Sequence, residues 1–250
     1  MTEPETKPTP ATADLETLLA PYLPTDHARQ VSARYYVDLV MGGPEPPRRV
    51  IDLGCGSGAS VDLFRAHDPE VEWVGVDIGD SMEAVARRRD DALFVTYDGT
   101  TVPFPDASID LVYSSQVLEH VIEPVAHLRE IARVLRPGGR LIGSTSQLEP
   151  YHSRSYWNLT PFGFTVLARE AGLVVHELRP GIDGVTLTLR SHLGRPKGFD
   201  RWWLSESPLN EEIDAWATAH GASPATVNLR KLLVCGQFAF LAGRPGPGDA

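Results

Sequence analysis

Gly54, Gly56 and Gly58 stand at alternate positions directly after the apolar residues Val50, Ile51 and Leu53. Without side chains they can take φ > 0 and let a ligand lie against the backbone. The same spacing also occurs in ordinary tight turns. Residues 71–77 read as a strand that ends in Asp77. That acid lies about twenty residues past the last glycine, where a doubly wound fold presents a carboxylate to a ribose. The pattern is Gly-x-Gly-x-Gly and not the Gly-x-Gly-x-x-Gly of a dinucleotide site. It therefore points to a nucleoside ligand with no pyrophosphate to seat on a helix N-terminus.

These groups need a scaffold, and the chain shows one. Val50, Ile51 and Leu53 read as a strand buried on both faces, and Ala59, Val61, Leu63 and Phe64 follow at helical spacing. A helix is expected over 81–89, with Asp80 or Ser81 as N-cap. Strands follow at 93–95 and 109–114. Residues 124–135 form an amphipathic helix, with Val125, Leu128, Ile131, Ala132 and Leu135 on one stripe, and Pro137-Gly138-Gly139 stops it. A fifth strand starts at Arg140, a helix spans 161–171, and late strands cover 173–178 and 232–241. Upstream, residues 1–13 read as disordered. A short helical pattern with Leu15, Leu18 and Leu19 is interrupted by Pro21, and a second helix covers 26–41. Tyr35 and Tyr36 on that helix either cover a ligand as a lid or pack the helix onto the core. Three regions result: a tail with N-terminal helices at 1–47, a core at 48–179 plus 230–244, and an insertion at 180–229. The insertion holds Trp202, Trp203 and a helix at 208–220. It is either a cap on the substrate side or a packing element.

The 250 residues suffice for one α/β domain with an insertion. A net charge of −10 disfavours nucleic-acid or anionic-membrane partners, which need a basic surface. Two cysteines, Cys55 and Cys235, suggest neither a disulfide framework nor a metal set. The start of the chain lacks the basic and apolar regions of a secretory signal, and no apolar run reaches the length of a membrane span. A cytoplasmic protein is expected.

Asp52-Leu53-Gly54-Cys55-Gly56-Ser57-Gly58 resembles the first motif of class I S-adenosylmethionine (SAM)-dependent methyltransferases. Asp77 matches the acid ending their second strand. Residues 103–110 resemble the stretch leading into their fourth strand, and residues 135–141 the turn into their fifth. The resemblance covers residues 48–146 and is thin elsewhere. It implies a Rossmann-like, doubly wound α/β fold: a seven-stranded, mostly parallel sheet with an antiparallel edge pair and a helical insertion. It implies SAM as cofactor, S-adenosylhomocysteine as product and a small-molecule acceptor. The amides of Gly54, Cys55, Gly56 and Gly58 would then meet the methionyl end, which Asp52 would orient directly or through water. Asp77 would accept both ribose hydroxyls, and Ile78 and Met82 would flank the adenine. Asp98 would accept from the adenine amine beside the amide of Gly99, or else only shape its turn. The backbone at Ser114 and Ser115 would line the sulfonium.

Methyl transfer is an in-line displacement, so positioning supplies much of the rate. A hydroxyl acceptor needs a base, and histidine suits that task. His120 follows the fourth strand, within a Val117-Leu118-Glu119-His120-Val121 stretch that resembles ubiquinone-biosynthesis O-methyltransferases. Glu119 and His120 could equally cap and orient a helix there. His152 is the second candidate, with Tyr151, Tyr156 and Trp157 as an aromatic wall for substrate, and His192 is a distant third. Arg190, Arg195, Lys197 and Arg201 could hold an anionic substrate group or form a solvated face. No histidine and carboxylate spacing suggests a metal. Other readings stay open: an oxidoreductase, which the glycine spacing opposes, a non-catalytic SAM-binding scaffold, or N- or C-methylation.

Overall fold

The computed structural model describes residues 14–246. The tail expected at 1–13 lies outside them. Seven strands form one sheet in the order β3-β2-β1-β4-β5-β7-β6. They are β1 (Arg49–Leu53), β2 (Glu72–Ile78), β3 (Leu93–Tyr97), β4 (Ile109–Ser115), β5 (Leu135–Ser146), β6 (Val174–Pro180) and β7 (Gln237–Gly243). The first five are mutually parallel, and β7 pairs antiparallel with both β5 and β6. The late antiparallel pair thus stands at the edge. The chain winds outward from β1 to β3, then restarts at β4 on the other side of β1. The switch point lies between β1 and β4, where open α/β sheets bind ligands at the carboxyl ends of their strands.

Successive strand residues face opposite sides, so one strand feeds two cores. Ile51, Leu53, Val112, Leu141, Phe238 and Phe240 pack on one face beneath α5 (Pro124–Val134) and α6 (Pro161–Glu170). Val50, Leu111, Tyr113, Ile142 and Ala239 pack on the other with α2 (Ala33–Met41) and α3 (Val61–Arg65). Phe164 of α6 stacks on Phe240 at 4.3 Å between ring centroids. Of the remaining helices, α1 (Leu15–Leu19) precedes α2, and α4 (Met82–Val85) follows β2. Helices α7 (Gly184–His192), α8 (Pro208–His220) and α9 (Pro224–Leu232) build the segment between β6 and β7. β6 ends and β7 begins at the carboxyl edge, so this segment sits on the ligand side of the sheet.

Several expected boundaries move. The helix at 26–41 contracts to α2, because residues 24–31 are committed elsewhere: Val31 N–H donates to Pro180 O, and Asn228 Nδ2 donates to the carbonyls of Pro24 and His27. The helix at 81–89 shrinks to the single turn α4, as Arg87 and Arg89 reach back to the carbonyls of Gly56 and Gly58. β5 begins at Leu135, ahead of Pro137, with a register shift opposite Ile109. The apolar run at 232–235 ends α9 and leads out of it, so β7 starts only at Gln237. The segment 180–230 holds three α-helices instead of one.

Gln30 and Arg179 tie the N-terminal segment to the rest. Gln30 Oε1 accepts from Ser207 N, Ser207 Oγ and Asn210 Nδ2, and its amide donates to Trp202 O. Arg179, 1% exposed, pairs with Asp26 at 2.8 Å and with Glu177 at 2.5 Å. Tyr36 is fully buried and donates to Glu177, while Tyr35 packs edge-on against His27 under the Arg179 guanidinium. Of the two readings for these tyrosines, the structure shows packing.

Candidate active site

The glycine turn follows β1 and is left-handed at all three glycines, with φ of +84° at Gly54, +50° at Gly56 and +79° at Gly58. A Cβ on Gly54 would lie 2.3 Å from Val117 Cγ2, so the loop after β4 presses directly on the turn. Asp77, 8% exposed, receives the Gly56 N–H at 2.6 Å on Oδ2 and the Ile78 N–H at 2.8 Å on Oδ1. Its carboxylate clamps the turn and keeps a second lone pair on each oxygen. Asp52 lies deeper, 3% exposed, where Ser60 Oγ donates to Oδ2 and Trp73 Nε1 donates in turn to Ser60. Burial pushes its carboxyl up to about 7. It braces the turn from beneath, with Oδ1 left for a ligand or a bridging water.

Cys55 contributes main chain only. Its thiol is buried against the sheet near Arg87, and burial pushes it up to about 12. Ile78 and Met82 are 36% and 66% exposed, two apolar side chains open beside Asp77. Gly99 sits against Ile78. Asp98 Oδ1 accepts from the amides of Thr100 and Thr101, which hold its carboxyl below the ordinary range. The turn-shaping role is therefore present. Ser114 is buried, and Ser115 Oγ meets Ser144 Oγ at 3.0 Å across β4 and β5.

Beyond Ser115, the residue Gln116 takes φ +59°, an uncommon conformation for a non-glycine residue. Its side chain spans Ser144 and Ser146. Nothing in a glutamine's identity signals this. The chain then forms a 3₁₀ turn, Leu118–His120. Glu119 is fully buried there, with Oε2 accepting from Thr145 Oγ1 at 2.9 Å and Oε1 facing Ser146 Oγ at 3.0 Å. Burial raises its carboxyl. His120, half-buried, lies edge-on to His152 from the loop after β5, at 5.3 Å between ring centroids. The amides of Tyr156 and Trp157 donate to Glu119 O, and Trp157 Nε1 donates to Val121 O. Tyr156 and Trp157 are thus pinned beside the imidazole pair with much of their rings exposed, while Tyr151 is 78% exposed.

The insertion is less uniform. Arg190 pairs with Asp200 and faces Trp203, and Arg201 lies over Trp202, so these two cations are engaged locally. Arg195, Lys197 and His192 are exposed. A groove of about 710 Å³ runs between α7, α8 and the 197–203 turn, lined by Leu189, Phe199, Trp202, Pro208 and Leu209. Of the candidate residues only Arg201 lines it, and neither the glycine-turn residues nor the histidines do.

This sheet order, with a glycine turn after the first strand and an acid at the end of the second, is a Rossmann-like fold shared with solved methyltransferase structures. Residues 51–143 match the family model described as a methyltransferase domain (Methyltransf_11). The chain is 42% identical over 111 residues to the demethylmenaquinone methyltransferase of Beutenbergia cavernae, covering 44% of this chain and 45% of that one. It is 32% identical over 142 residues to a probable S-adenosylmethionine-dependent methyltransferase of Mycolicibacterium smegmatis, covering 52% and 53%. The chain spans about half the length, or less, of the curated relatives it matches. The [4+2]-cyclase SpnF has the same fold, with a TM-score of 0.54, 21% identity and coverage of 93% and 91%.

Proposed function

We propose that the chain transfers the methyl group of SAM to a hydroxyl of a small molecule. The observation that carries this is the contact between Gly54 and Val117. It joins the glycine turn to the loop that holds His120, at the switch point of the sheet.

The residues fit SAM. The left-handed glycines leave backbone where side chains would stand, Asp77 offers two acceptor oxygens, and exposed Ile78 and Met82 supply an apolar flank for a purine. Bound SAM supplies an electrophilic methyl group on a sulfonium. The chain's own residues do the rest. The turn amides and Asp52 orient the methionyl end, Asp77 fixes the ribose, and the main chain at Ser114 and Ser115 sets the depth of the sulfonium. His120 or His152 takes the acceptor proton, and Tyr156 and Trp157 shield the acceptor from water. The helical insertion caps the acceptor side.

Net charge of −10 supports a partner set without nucleic acid. Two free, buried cysteines support a cytoplasmic setting. No helix among the described residues is long and apolar enough to cross a membrane. The test is turnover of radiolabelled SAM against a panel of hydroxylated, amine and carbon acceptors. Labelled oxygen products support the reading, and labelled amines or carbon products reassign the acceptor atom. No turnover with S-adenosylhomocysteine still bound leaves a scaffold.

A further inference from the structure

Glu119, His120 and His152 each offer one ligand atom, and the three atoms lie within 4.8 Å of one another. We propose that this trio is a binding site for a divalent first-row transition ion of the zinc class. The ion holds an acceptor oxygen beside the cofactor crevice. The site stands on its own geometry, while its role toward an acceptor rests on the methyltransferase reading. Sequence spacing conceals it, because His152 comes from a different loop than Glu119 and His120.

Two imidazoles and one carboxylate are a donor set that such ions favour, with positions left open for exogenous oxygen. Ligands about 2.1 Å from a tetrahedral zinc stand about 3.4 Å apart, so the trio needs to close by up to about 1.4 Å. Half-buried imidazoles can do that through their side-chain torsions. The loops that carry them are fixed to each other. Tyr156 N, Trp157 N and Trp157 Nε1 bond the 3₁₀ turn, and Thr145 and Ser146 of β5 bond the Glu119 carboxylate. His152 Nδ1 lies 3.2 Å from Pro150 O. Assigning the ring proton to Nδ1 makes that a donated bond and leaves the Nε2 lone pair for a metal, the usual way an outer contact orients a ligating histidine.

The surroundings of Glu119 also suit a cation. Its fully buried carboxylate accepts from Thr145 Oγ1 at 2.9 Å and faces Ser146 Oγ at 3.0 Å. Glu149 Oε2, which shares Ser146 Oγ, accepts from Gln237 Nε2 at 2.7 Å. These side-chain donors are all neutral, and a buried carboxylate costs free energy unless a positive partner is present. Among the described residues, no lysine or arginine pairs with Glu119 or Glu149. A divalent ion between Glu119 and the imidazoles supplies that charge. An acceptor hydroxyl bound to it loses its proton to solvent, and the O–H electron pair stays on the coordinated oxygen. With both imidazole lone pairs engaged, neither histidine then needs to act as the base.

Chelator-stripped full chain titrated with Co²⁺ tests this. The expected result is one equivalent bound, with visible ligand-field bands that Zn²⁺ abolishes. His152→Ala, on a surface loop, should lower Co²⁺ affinity at least tenfold and change the bands, and His120→Ala should do the same. Affinity for S-adenosylhomocysteine and the far-ultraviolet spectrum should be retained in both. No saturable Co²⁺ binding by wild type overturns the proposal. So does one-equivalent binding with unchanged bands in the His120→Ala/His152→Ala double variant, or a site filled only by a proton on Glu119, shown by its infrared carboxylic-acid band persisting with metal added. Metal binding without methyl transfer would leave the site standing and remove the acceptor role. Transfer that survives complete chelation, with no Co²⁺ bound, would overturn both.

Discussion

Replacing Asp77 separates cofactor binding from fold integrity. Both of its oxygens already accept one backbone N–H, from Gly56 and from Ile78. Each retains a lone pair at the carboxyl edge of β2, so a ribose diol can be held without breaking the clamp. A hydrogen bond to a charged group contributes about 1.5–3 kcal/mol. Asp77→Ala should therefore raise the Kd for S-adenosylhomocysteine by about 10- to 150-fold. The alanine also releases the Gly56 N–H and loosens the turn. Asp77→Asn controls for this, since its amide oxygen still accepts from Gly56 while its charge is gone, and its loss should be about tenfold. Calorimetry on both variants, beside their melting temperatures, gives the answer. An Asp77→Ala protein that melts like wild type and binds the ligand within twofold of wild type would refute the reasoning, and the ribose would be held elsewhere.

Gly54→Ala should destabilise the fold by about 1–2 kcal/mol from its left-handed backbone alone, and more from the approach to Val117. A Gly54→Ala/Val117→Ala double variant should recover part of that loss in urea unfolding, and no recovery would exclude the clash. Asp52 holds its proton to about pH 7 in the folded state, whereas an unfolded carboxyl releases it near pH 3.9. Its contribution is therefore complete below pH 4 and declines as pH rises through 7. Asp52→Asn should flatten that decline, and a variant with the wild-type slope between pH 4 and 7 would contradict the assignment. His120→Ala or His152→Ala should lower kcat by about 10²- to 10⁴-fold with little change in cofactor affinity, whether the ring takes the proton or ligates an ion. Full activity in both would move the acceptor chemistry elsewhere. Arg179→Ala leaves Glu177 without its buried cation and should cost about 3 kcal/mol. An unfolding free energy within 1 kcal/mol of wild type would show the network to be idle.

The sheet was legible because its strands are short, doubly buried apolar runs, and their order follows from the family motifs at Asp52, Asp77 and 135–141. The insertion was not. The Thr-Leu-Thr-Leu run in α7 alternates like a strand, and only the Asp183 cap on Thr186 N reveals a helix start. Leu232-Leu233-Val234 reads as strand by composition, yet tertiary contacts of α9 claim Leu232. In the site, single positions such as Asp77 and His120 could be singled out by residue type and by place after a strand. The Glu119–His120–His152 cluster was not, since it arises only when two strand ends lie side by side. Glu149 escaped notice for the same reason, although its spacing of three from His152 was a usable hint.

The stitching of residues 24–31 to the far end of the chain also bears on how the molecule is made. Gln30 and Glu206, which share a hydrogen bond, are 176 residues apart. At about 5–20 residues per second, ribosomal synthesis separates their appearance by about 10–35 s. The N-terminal segment therefore emerges long before Asp183, Ser207, Asn210 or Lys231 exist to receive it. Closing such a loop comes late in folding, after the parallel sheet has formed from nearer contacts. The helices between β6 and β7 and the N-terminal strap bound to them then lock in one concluding step, once β7 is in place.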